Sequence, residues 1–354
     1  MRARILERIS FTDIFMWLVG GSIAAIVVVG SISTLAEGRF TTRQWFDFVV
    51  SGLAQGSIYA LIALGYTLVY GILRMINFAH SEVFMSGAFT GYFAAAALEQ
   101  AGILQPNPVL GLAVVFAVSI ATSVTVALIL ERVAYRPLRR APRLVPLITA
   151  IGASFFLQYT FRGLYGSEFK AYPEVDVLEG SWNLGGDFTI QKVQVLVIVA
   201  ASLLMFGLYL FVQFTRTGKA MRAVSEDKDV AALMGIDVDA IIVRTFVLGA
   251  ALAGAAGVLY ALMFRIVQFF MGFIPGIKAF TAAVLGGIGN IPGAMIGGLF
   301  LGIFESVGPI LFLDGLHVPA PYQLKDVIAF TMLVLVLIFR PTGILGERIG
   351  RTKA

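Results

Sequence analysis

Three polar side chains, Asn77, His80 and Glu82, stand between two long apolar stretches of the sequence. A charged side chain at the centre of a bilayer costs roughly 2.5–3.5 kcal/mol on insertion scales, so such groups normally face a partner or a water-filled cavity. One interpretation is a short cytoplasmic turn, with Arg74 among lipid headgroups and Asn77 or Ser81 capping a helix. The other is a broken or re-entrant helix whose polar groups line a path through the membrane. The spacing alone is compatible with both.

A second interrupted stretch runs from Ala279 to Ser306, and it contains Asn290 between glycines and a proline. Small residues at every fourth position place a smooth stripe on a helix face and let two helix backbones approach closely. Helix packing is therefore the first interpretation of these glycines, which are Gly289, Gly293, Gly297, Gly298 and Gly302. The break at Asn290 can in addition expose backbone dipoles beside a path, by analogy with the paired interrupted segments of secondary transporters.

A third segment, residues 215–240, is polar and rich in charged residues. The part from Lys219 to Met234 has a helix-forming composition, and Gly235 stands where a C-terminal cap glycine would stand. Asp237 or Asp239 is then in position to cap the helix that follows. Composition alone makes this predicted helix a solvated connector.

The composition requires that most of the exterior face lipid. Hydrophobic residues make up 58% of the 354 residues and charged residues only 13%, whereas soluble domains carry about 25% charged residues. The chain has no cysteine and two histidines, which excludes disulfides and thiolate metal sites and argues against a multi-histidine metal centre. It has no Walker A, HExxH or GxSxG pattern. A soluble enzyme is therefore excluded, a membrane enzyme is disfavoured, and any ATP hydrolysis must belong to another chain.

The apolar stretches predict an all-α, polytopic transmembrane bundle of about ten spans, within a range of eight to ten, because a span needs roughly 20 mostly apolar residues. The first candidate runs from Ile14 to Ser33. It exceeds the 7–15 apolar residues of a signal peptide, which favours a retained helix over a cleaved signal, although Thr34 to Ala36 resembles a cleavage site. The other stretches begin near Phe46, Val83, Val109, Leu144, Val193, Ile241, Ala279, Ala294 and Val327.

The charged residues predict the orientation of these spans. Ten crossings place four basic stretches on one side of the membrane, and these are residues 1–8, 131–143, 215–228 and 340–354. The segment 165–192 falls on the other side, and its acidic residues outnumber its basic ones. By the positive-inside rule, both termini are then cytoplasmic. The net charge of +5 is thus explained by topology, and no nucleic-acid partner is expected.

Four segments, in order along the chain, resemble the high-affinity branched-chain amino-acid ABC permease family of the LivH type. They are ALIALGYTLVYGILRMINFAHSEVFMSGAF, RVAYRPLRRAPRLVPLITAIGASFFLQ, AFTAAVLGGIGNIPGAMIGGLFLGI and RPTGILG. The resemblance implies one transmembrane permease domain, residues 1–354, with a family core at 46–345. It also implies a bacterial inner-membrane protein that forms the path of an ATP-driven importer and has no catalytic or metal site of its own.

The same resemblance implies the partners. They are a second permease subunit, often a paralogue, two cytoplasmic ATPase subunits that bind ATP and magnesium, and an extracytoplasmic binding protein. The expected cargo is leucine, isoleucine, valine or a related amino acid. One alternative is an ABC permease for urea or short-chain amides. An alternative of another class is an ion-coupled secondary transporter, which works without an ATPase.

The resemblance also assigns candidate residues. Importer permeases carry an ATPase-docking loop of the pattern E-A-A-x3-G, and residues 229–235 fit it as D-V-A-x3-G. The candidate residues of this coupling loop are Arg222, Glu226, Asp229, Ala231, Ala232 and Gly235. The family pattern N-F-A-H-G-E is matched at Asn77, His80 and Glu82, with Ser81 in place of its glycine. Together with Asn290, these three residues are the candidates for the translocation path.

Overall fold

The structure is a computed structural model that describes residues 11–139, 141–142, 144–340 and 342–346. The basic start at residues 1–8, Arg140, Arg143 and the tail from 347 onwards, which the orientation prediction used, lie outside the described residues. The helices are α1 (Phe11–Glu37), α2 (Thr42–Leu73), α3 (His80–Gln100), α4 (Pro108–Leu130), α5 (Leu144–Tyr165), α6 (Lys192–Phe214), α7 (Arg216–Glu226), α8 (Lys228–Leu233), α9 (Val238–Phe264), α10 (Phe273–Gly286), α11 (Ile291–Leu313) and α12 (Lys325–Phe339). The strands are β1 (Lys170–Ala171), β2 (Ser181–Gly185), β3 (Phe188–Gln191) and β4 (Ile266–Val267).

The predicted class is confirmed, because the described chain is an all-α bundle with only two small antiparallel sheets, β1–β4 and β2–β3, in its connections. Eight helices within the described residues are long and apolar enough to cross a membrane, namely α1, α2, α4, α5, α6, α9, α11 and α12, the last counted from Pro321 with the 3-10 turn before it. The other two apolar stretches of the prediction form α3, which begins with polar side chains, and α10, which has only 14 residues. The predicted range of eight to ten spans therefore holds.

The connections gather at two opposite ends of the bundle. We call the end that carries α7 and α8 the loop side, and there Arg74 donates a hydrogen bond to the Ser225 carbonyl at 2.9 Å. We call the end that carries the β2–β3 hairpin the hairpin side, and there the Gln105 amide donates to the Glu174 carbonyl at 2.7 Å. The α2–α3 and α6–α9 connections thus meet on one side, and the α3–α4 and α5–α6 connections meet on the other, as expected of a chain that crosses a membrane repeatedly.

The helix α2 forms the centre of the bundle. A capping box between Thr41 and Gln44 satisfies free amides at its start. Within an apolar stretch of 18 residues of this helix, 83% is buried. The helix α11 lies along it at very close range, because a Cβ added to Gly302 would lie 2.3 Å from the Cα of Gly56. The close packing predicted for the α11 glycines is therefore present.

The glycines of α11 form two rows instead of the single stripe that the spacing predicted. Gly298 and Gly302 face α2, whereas Gly293 and Gly297 face α10. The rows are offset by one residue in sequence, which turns them about 100° apart around a helix of 3.6 residues per turn. A Cβ added to Gly289 would meet no atom of the described residues within 4 Å, and the φ of +97° at Gly289 suits the turn before α11.

The C-terminal end of the first helix, α1, packs on the bundle. The α-helix continues through Thr34 to Glu37, and the Gly315 N–H donates to the Thr34 hydroxyl at 2.8 Å. Ser33 donates in turn to the Gly315 carbonyl at 2.9 Å. These contacts favour the interpretation of this segment as a membrane helix of the bundle over that of a signal peptide.

The packing of α2 against α11 generates the first prediction. Gly302→Leu should destabilise the protein by at least the roughly 1–3 kcal/mol typical of overpacking, because the atoms that the new side chain meets belong to backbone. Thermal unfolding in detergent, followed by size-exclusion chromatography, measures this. The matched control is Gly207→Leu, where no atom lies within 4 Å of an added Cβ. Equal losses in the two variants would contradict the proposed packing.

Candidate functional site

The break between α2 and α3 brings the predicted polar residues into the interior of the bundle. The helix α2 ends at Arg74, whose φ of +56° is left-handed, and α3 begins at His80. Asn77, His80 and Glu82 are 3%, 2% and 0% exposed, which does not fit a solvated turn. Arg74 is exposed, as the turn interpretation expected, but neither Asn77 nor Ser81 caps α3. The structure thus combines a loop-side reversal with a buried polar segment.

Asn77 is held by a residue from the α4–α5 connection. The Tyr135 hydroxyl donates to the Asn77 side-chain oxygen, and both groups are buried. Tyr135 ends a π-helical turn, Glu131–Tyr135, and its ring packs beside Phe246 of α9. Because π-helical turns are rare and frequently mark functional sites, this link between two loop-side connections is a candidate functional contact as well as a packing contact.

His80 fits into a notch on α2. A Cβ added to Gly65 would lie 2.0 Å from its Nε2, so any larger residue at position 65 would displace the imidazole. Tyr66 packs against the ring edge to face, with the centroids 5.0 Å apart. Within the described residues, Nε2 has no hydrogen-bond partner. The ring is therefore fixed by shape and keeps one buried nitrogen free.

Glu82 is the centre of a hydrogen-bonded cluster between α3 and α5. Its Oε1 accepts from Gln158 at 2.8 Å, from Ser154 at 3.1 Å and from Ser81 at 3.3 Å. Its Oε2 is buried and has no hydrogen-bond partner among the described residues. Since unsatisfied buried polar atoms are uncommon, Oε2 is a free acceptor. We call Ser81, Glu82, Ser154 and Gln158 the Glu82 cluster.

The starts of two helices meet at the Glu82 cluster. A Cβ added to Gly272 would lie 2.3 Å from the Ser81 carbonyl oxygen, and one added to Gly276 would lie 2.3 Å from the Ser81 Cβ. The N-terminus of α10 therefore abuts the N-terminus of α3, and Glu82 lies in the first turn of α3. The N-terminal end of a helix carries partial positive charge. Both helix ends therefore direct partial positive charge towards the Glu82 carboxyl group.

Asn290 lies apart from this cluster. Its side-chain oxygen accepts from the Gly293 N–H at 2.9 Å, and its amide donates to the Leu345 carbonyl at 2.9 Å. It is the N-cap of α11 at the loop side. The structure therefore brings Asn77, His80 and Glu82 together and gives Asn290 a capping role at the end of the bundle.

The predicted coupling loop contains two helices instead of one. Asp227 interrupts the predicted helix, because its side chain accepts from the amides of Asp229 and Val230 and so starts α8 separately from α7. Gly235 follows α8 with a φ of +84°, as expected for a C-terminal glycine. Asp237 is the residue that caps α9, accepting from the Ala240 N–H at 3.0 Å.

Most of the candidate residues of the coupling loop are on the surface. Arg222 bonds the Gln213 side chain at the end of α6 at 2.9 Å, whereas Ala231 is buried. The exposed candidates are Arg222, Glu226, Asp229, Ala232 and Gly235. Beside them, Leu233 is 86% exposed and Met234 is 79% exposed. An apolar patch therefore stands on the loop side where a water-facing connector would carry polar residues.

Charge pairs fix this loop to the bundle. Arg139 pairs with Glu131 at the end of α4 and with Asp239 at the start of α9. Partial burial lowers the pKa of Lys228, and the nearby positive charges of Arg139 and Arg74 act in the same direction.

The sequence interpretation missed two sets of partners. One set is Tyr135, Ser154 and Gln158, which hold Asn77 and Glu82. The other is an ion cluster of Lys278, Glu305 and Asp326, in which the Lys278 ammonium lies 2.6 Å from each carboxylate. A signal was present for the second set, because an ionisable residue inside an apolar stretch marks a polar partner. The pairing itself depends on tertiary structure.

Comparisons with known proteins place this arrangement in a family. The family model described as "branched-chain amino acid transport system / permease component" matches residues 48–337. The high-affinity branched-chain amino acid transport system permease protein BraD of Pseudomonas aeruginosa is 49% identical over 86% of this chain and 96% of its own length. The corresponding protein LivH of Escherichia coli is 45% identical over 84% and 94%. A probable permease protein LivM of Methanocaldococcus jannaschii is 28% identical over 40% of this chain and 44% of its own length.

The bond between Tyr135 and Asn77 generates the second prediction. Tyr135→Phe removes one hydroxyl and leaves the buried Asn77 oxygen without its donor, which should cost about 1–3 kcal/mol. Thermal unfolding of the purified protein measures the loss. Tyr159→Phe is the matched control, because the Tyr159 side chain is 60% exposed. Identical unfolding temperatures for the two variants would show that the bond contributes nothing.

Proposed function

The chain belongs to the branched-chain amino acid transport system permease family, and we propose that it forms the translocation path of an ATP-driven importer for leucine, isoleucine, valine or related hydrophobic amino acids. The observation that carries the proposal is the 49% identity to BraD over nearly the whole length of that protein. A match of this extent covers the break, the coupling loop and the α11 glycines together. It favours amino acids over urea or short-chain amides as cargo.

The Glu82 cluster is the proposed polar part of the path. Glu82 has a free carboxyl oxygen, and the N-termini of α3 and α10 meet beside it. An amino acid presents an ammonium and a carboxylate, which are the groups that a carboxylate and helix N-termini respectively stabilise. Asn77 and His80 border the same break. The helices α3 and α5 are held together here by hydrogen bonds to one carboxylate, so a ligand donor that competes for Glu82 would loosen them.

We propose that the loop side faces the cytoplasm of a bacterial cell and that the protein resides in the inner membrane. Arg132, Arg136 and Arg139 lie in the α4–α5 connection, and Lys219 and Lys228 lie in the coupling loop. The hairpin-side segment 166–191 is acidic by comparison. This distribution agrees with the positive-inside rule. On this proposal the hairpin side faces outwards, where a binding protein would deliver the amino acid.

The loop helices α7 and α8 are the proposed docking element for one of two cytoplasmic ATPase subunits. The other ATPase subunit would dock on a second permease subunit. Ala231 is buried and holds α8 to the bundle, while Val230, Leu233 and Met234 face outwards. Exposed apolar side chains on a helical loop suit a protein groove better than water. ATP and magnesium would be bound by the ATPase subunits. The occurrence of both LivH and LivM proteins among the relatives supports a paralogue as the second permease.

Purification and transport test this function directly. Isolated under mild conditions from its own cells, the chain should carry an ATPase subunit, and the complex in proteoliposomes should take up radiolabelled leucine only with ATP and binding protein. Uptake of urea in place of leucine would reassign the cargo. Uptake driven by an ion gradient without any ATPase would make the chain a secondary transporter and overturn the proposal.

The docking surface generates a further prediction. Leu233→Asp should weaken ATPase association at least about tenfold, because burying a leucine side chain contributes about 1.5–3 kcal/mol and 1.4 kcal/mol corresponds to a factor of ten. Co-purification of the ATPase measures the effect. The control is Val177→Asp on the hairpin side, whose side chain is 57% exposed. Association that withstands Leu233→Asp would exclude α8 as the docking element.

A further inference from the structure

An ion cluster inside the bundle, distinct from the Glu82 cluster, joins four helices. Lys278 of α10 lies 2.6 Å from Glu305 of α11 and 2.6 Å from Asp326 of α12. From α2, the Gln55 amide donates to Glu305 at 3.0 Å, and the Tyr59 ring lies 5.8 Å from the Lys278 ammonium. The path and the docking loop do not use these groups, so a separate explanation is needed for charges buried among membrane helices.

The two carboxylates are held very differently. Glu305 is 0% exposed and has two donors, Lys278 and Gln55. It also lies on α11, the helix that packs closely against α2. Asp326 is 43% exposed, and among the described residues Lys278 is its ion-pair partner. Glu305 is therefore a fully buried partner of Lys278, whereas Asp326 is partly exposed and buries the Oδ1 that pairs with Lys278.

The helix α12 is only partly buried, and it is joined to α10 near both of its ends. Ala329 is its one buried residue among those described. Only 6% of an apolar stretch of 18 residues within Pro321–Phe339 is buried. Just beyond its other end, the amides of Ile344 and Leu345 donate to the carbonyls of Leu285 and Gly286, which end α10. The helix is thus fastened to α10 twice, by backbone hydrogen bonds on the loop side and by an ion pair nearer the hairpin side.

The geometry points to a releasable latch: Lys278 holds α12 through Asp326 and, when Asp326 leaves, remains paired with Glu305, so that α12 can swing about its loop-side end. Breaking a buried ion pair is normally expensive because an unpaired charge is left behind. Here the departing carboxylate is already 43% exposed while it is paired, and the remaining ammonium keeps Glu305 and the Tyr59 ring. Release therefore leaves no isolated buried charge. The inference goes beyond the proposed function and concerns which helix moves.

Thiol labelling tests the latch without any transport measurement. This chain has no cysteine of its own, so Ile328→Cys introduces one thiol on the face of α12 that packs on Gly308 of α11. In the assembled complex, N-ethylmaleimide should label this thiol several-fold faster when Asp326→Asn is added. Lys325→Gln, which changes a neighbouring charge outside the cluster, is the matched control and should leave the rate unchanged. Equal rates with and without Asp326→Asn would overturn the latch.

A disulfide provides the second arm. Gly308→Cys combined with Ile328→Cys brings two Cβ atoms close, because a Cβ at Gly308 would lie 3.4 Å from the Ile328 Cγ2. Oxidation should abolish ATP-driven uptake and reduction should restore it, whereas either single variant should be insensitive to oxidant. Undiminished uptake by the cross-linked complex would overturn the latch. If the unmodified complex shows no ATP-driven uptake, the proposed function fails, and the labelling rates still decide the latch.

Discussion

The rest of the bundle depends on the close approach of α2 and α11. The contact is made by Gly298 and Gly302 on α11 against Ala60 and Gly56 on α2, so that backbone lies against backbone. In lipid, helix association has little hydrophobic driving force and relies on such packing and on interhelical hydrogen bonds. Because α2 lies in the centre, the positions of the other polar contacts can be given relative to the α2–α11 pair. The Gln55–Glu305 bond lies within the pair, and the break before α3 begins where α2 ends.

The two buried polar clusters show two ways of carrying charge inside such a bundle. Glu82 is stabilised by neutral donors from Ser154 and Gln158 and by the N-termini of α3 and α10, whereas Glu305 is stabilised by a lysine. A carboxylate held by neutral donors can exchange them for those of a ligand at little electrostatic cost. A carboxylate held by a lysine is bound more permanently. The first arrangement suits a path and the second suits a structural joint, which is the division of roles proposed for them.

The fold class and the span count could be predicted from the sequence, because hydropathy over a window of about 20 residues reports burial in lipid directly. Local capping could be predicted to within a choice of two, and the structure selects Asp237 over Asp239. The prediction of a single helix in the coupling loop was wrong. Asp227 caps two amides and so starts a second helix, and composition alone does not reveal this. The spacing of the glycines predicted close packing of α11, but their division into two rows and the helix that each row meets depend on the tertiary arrangement.

The polar partners show where the sequence stops being informative. Asn77, His80 and Glu82 could be identified as a group because they are adjacent along the chain, whereas Glu82 meets Gln158 and Lys278 meets Glu305 across long stretches of sequence. An ionisable residue in an apolar stretch indicates that it has a polar partner, but it does not identify that partner. For this chain the consequence is specific: Asp326 at the start of α12 reads as an ordinary helix-start acid, and only the structure shows that its partner is a lysine on a different helix. This partly exposed carboxylate is one of the contacts that hold α12 to α10.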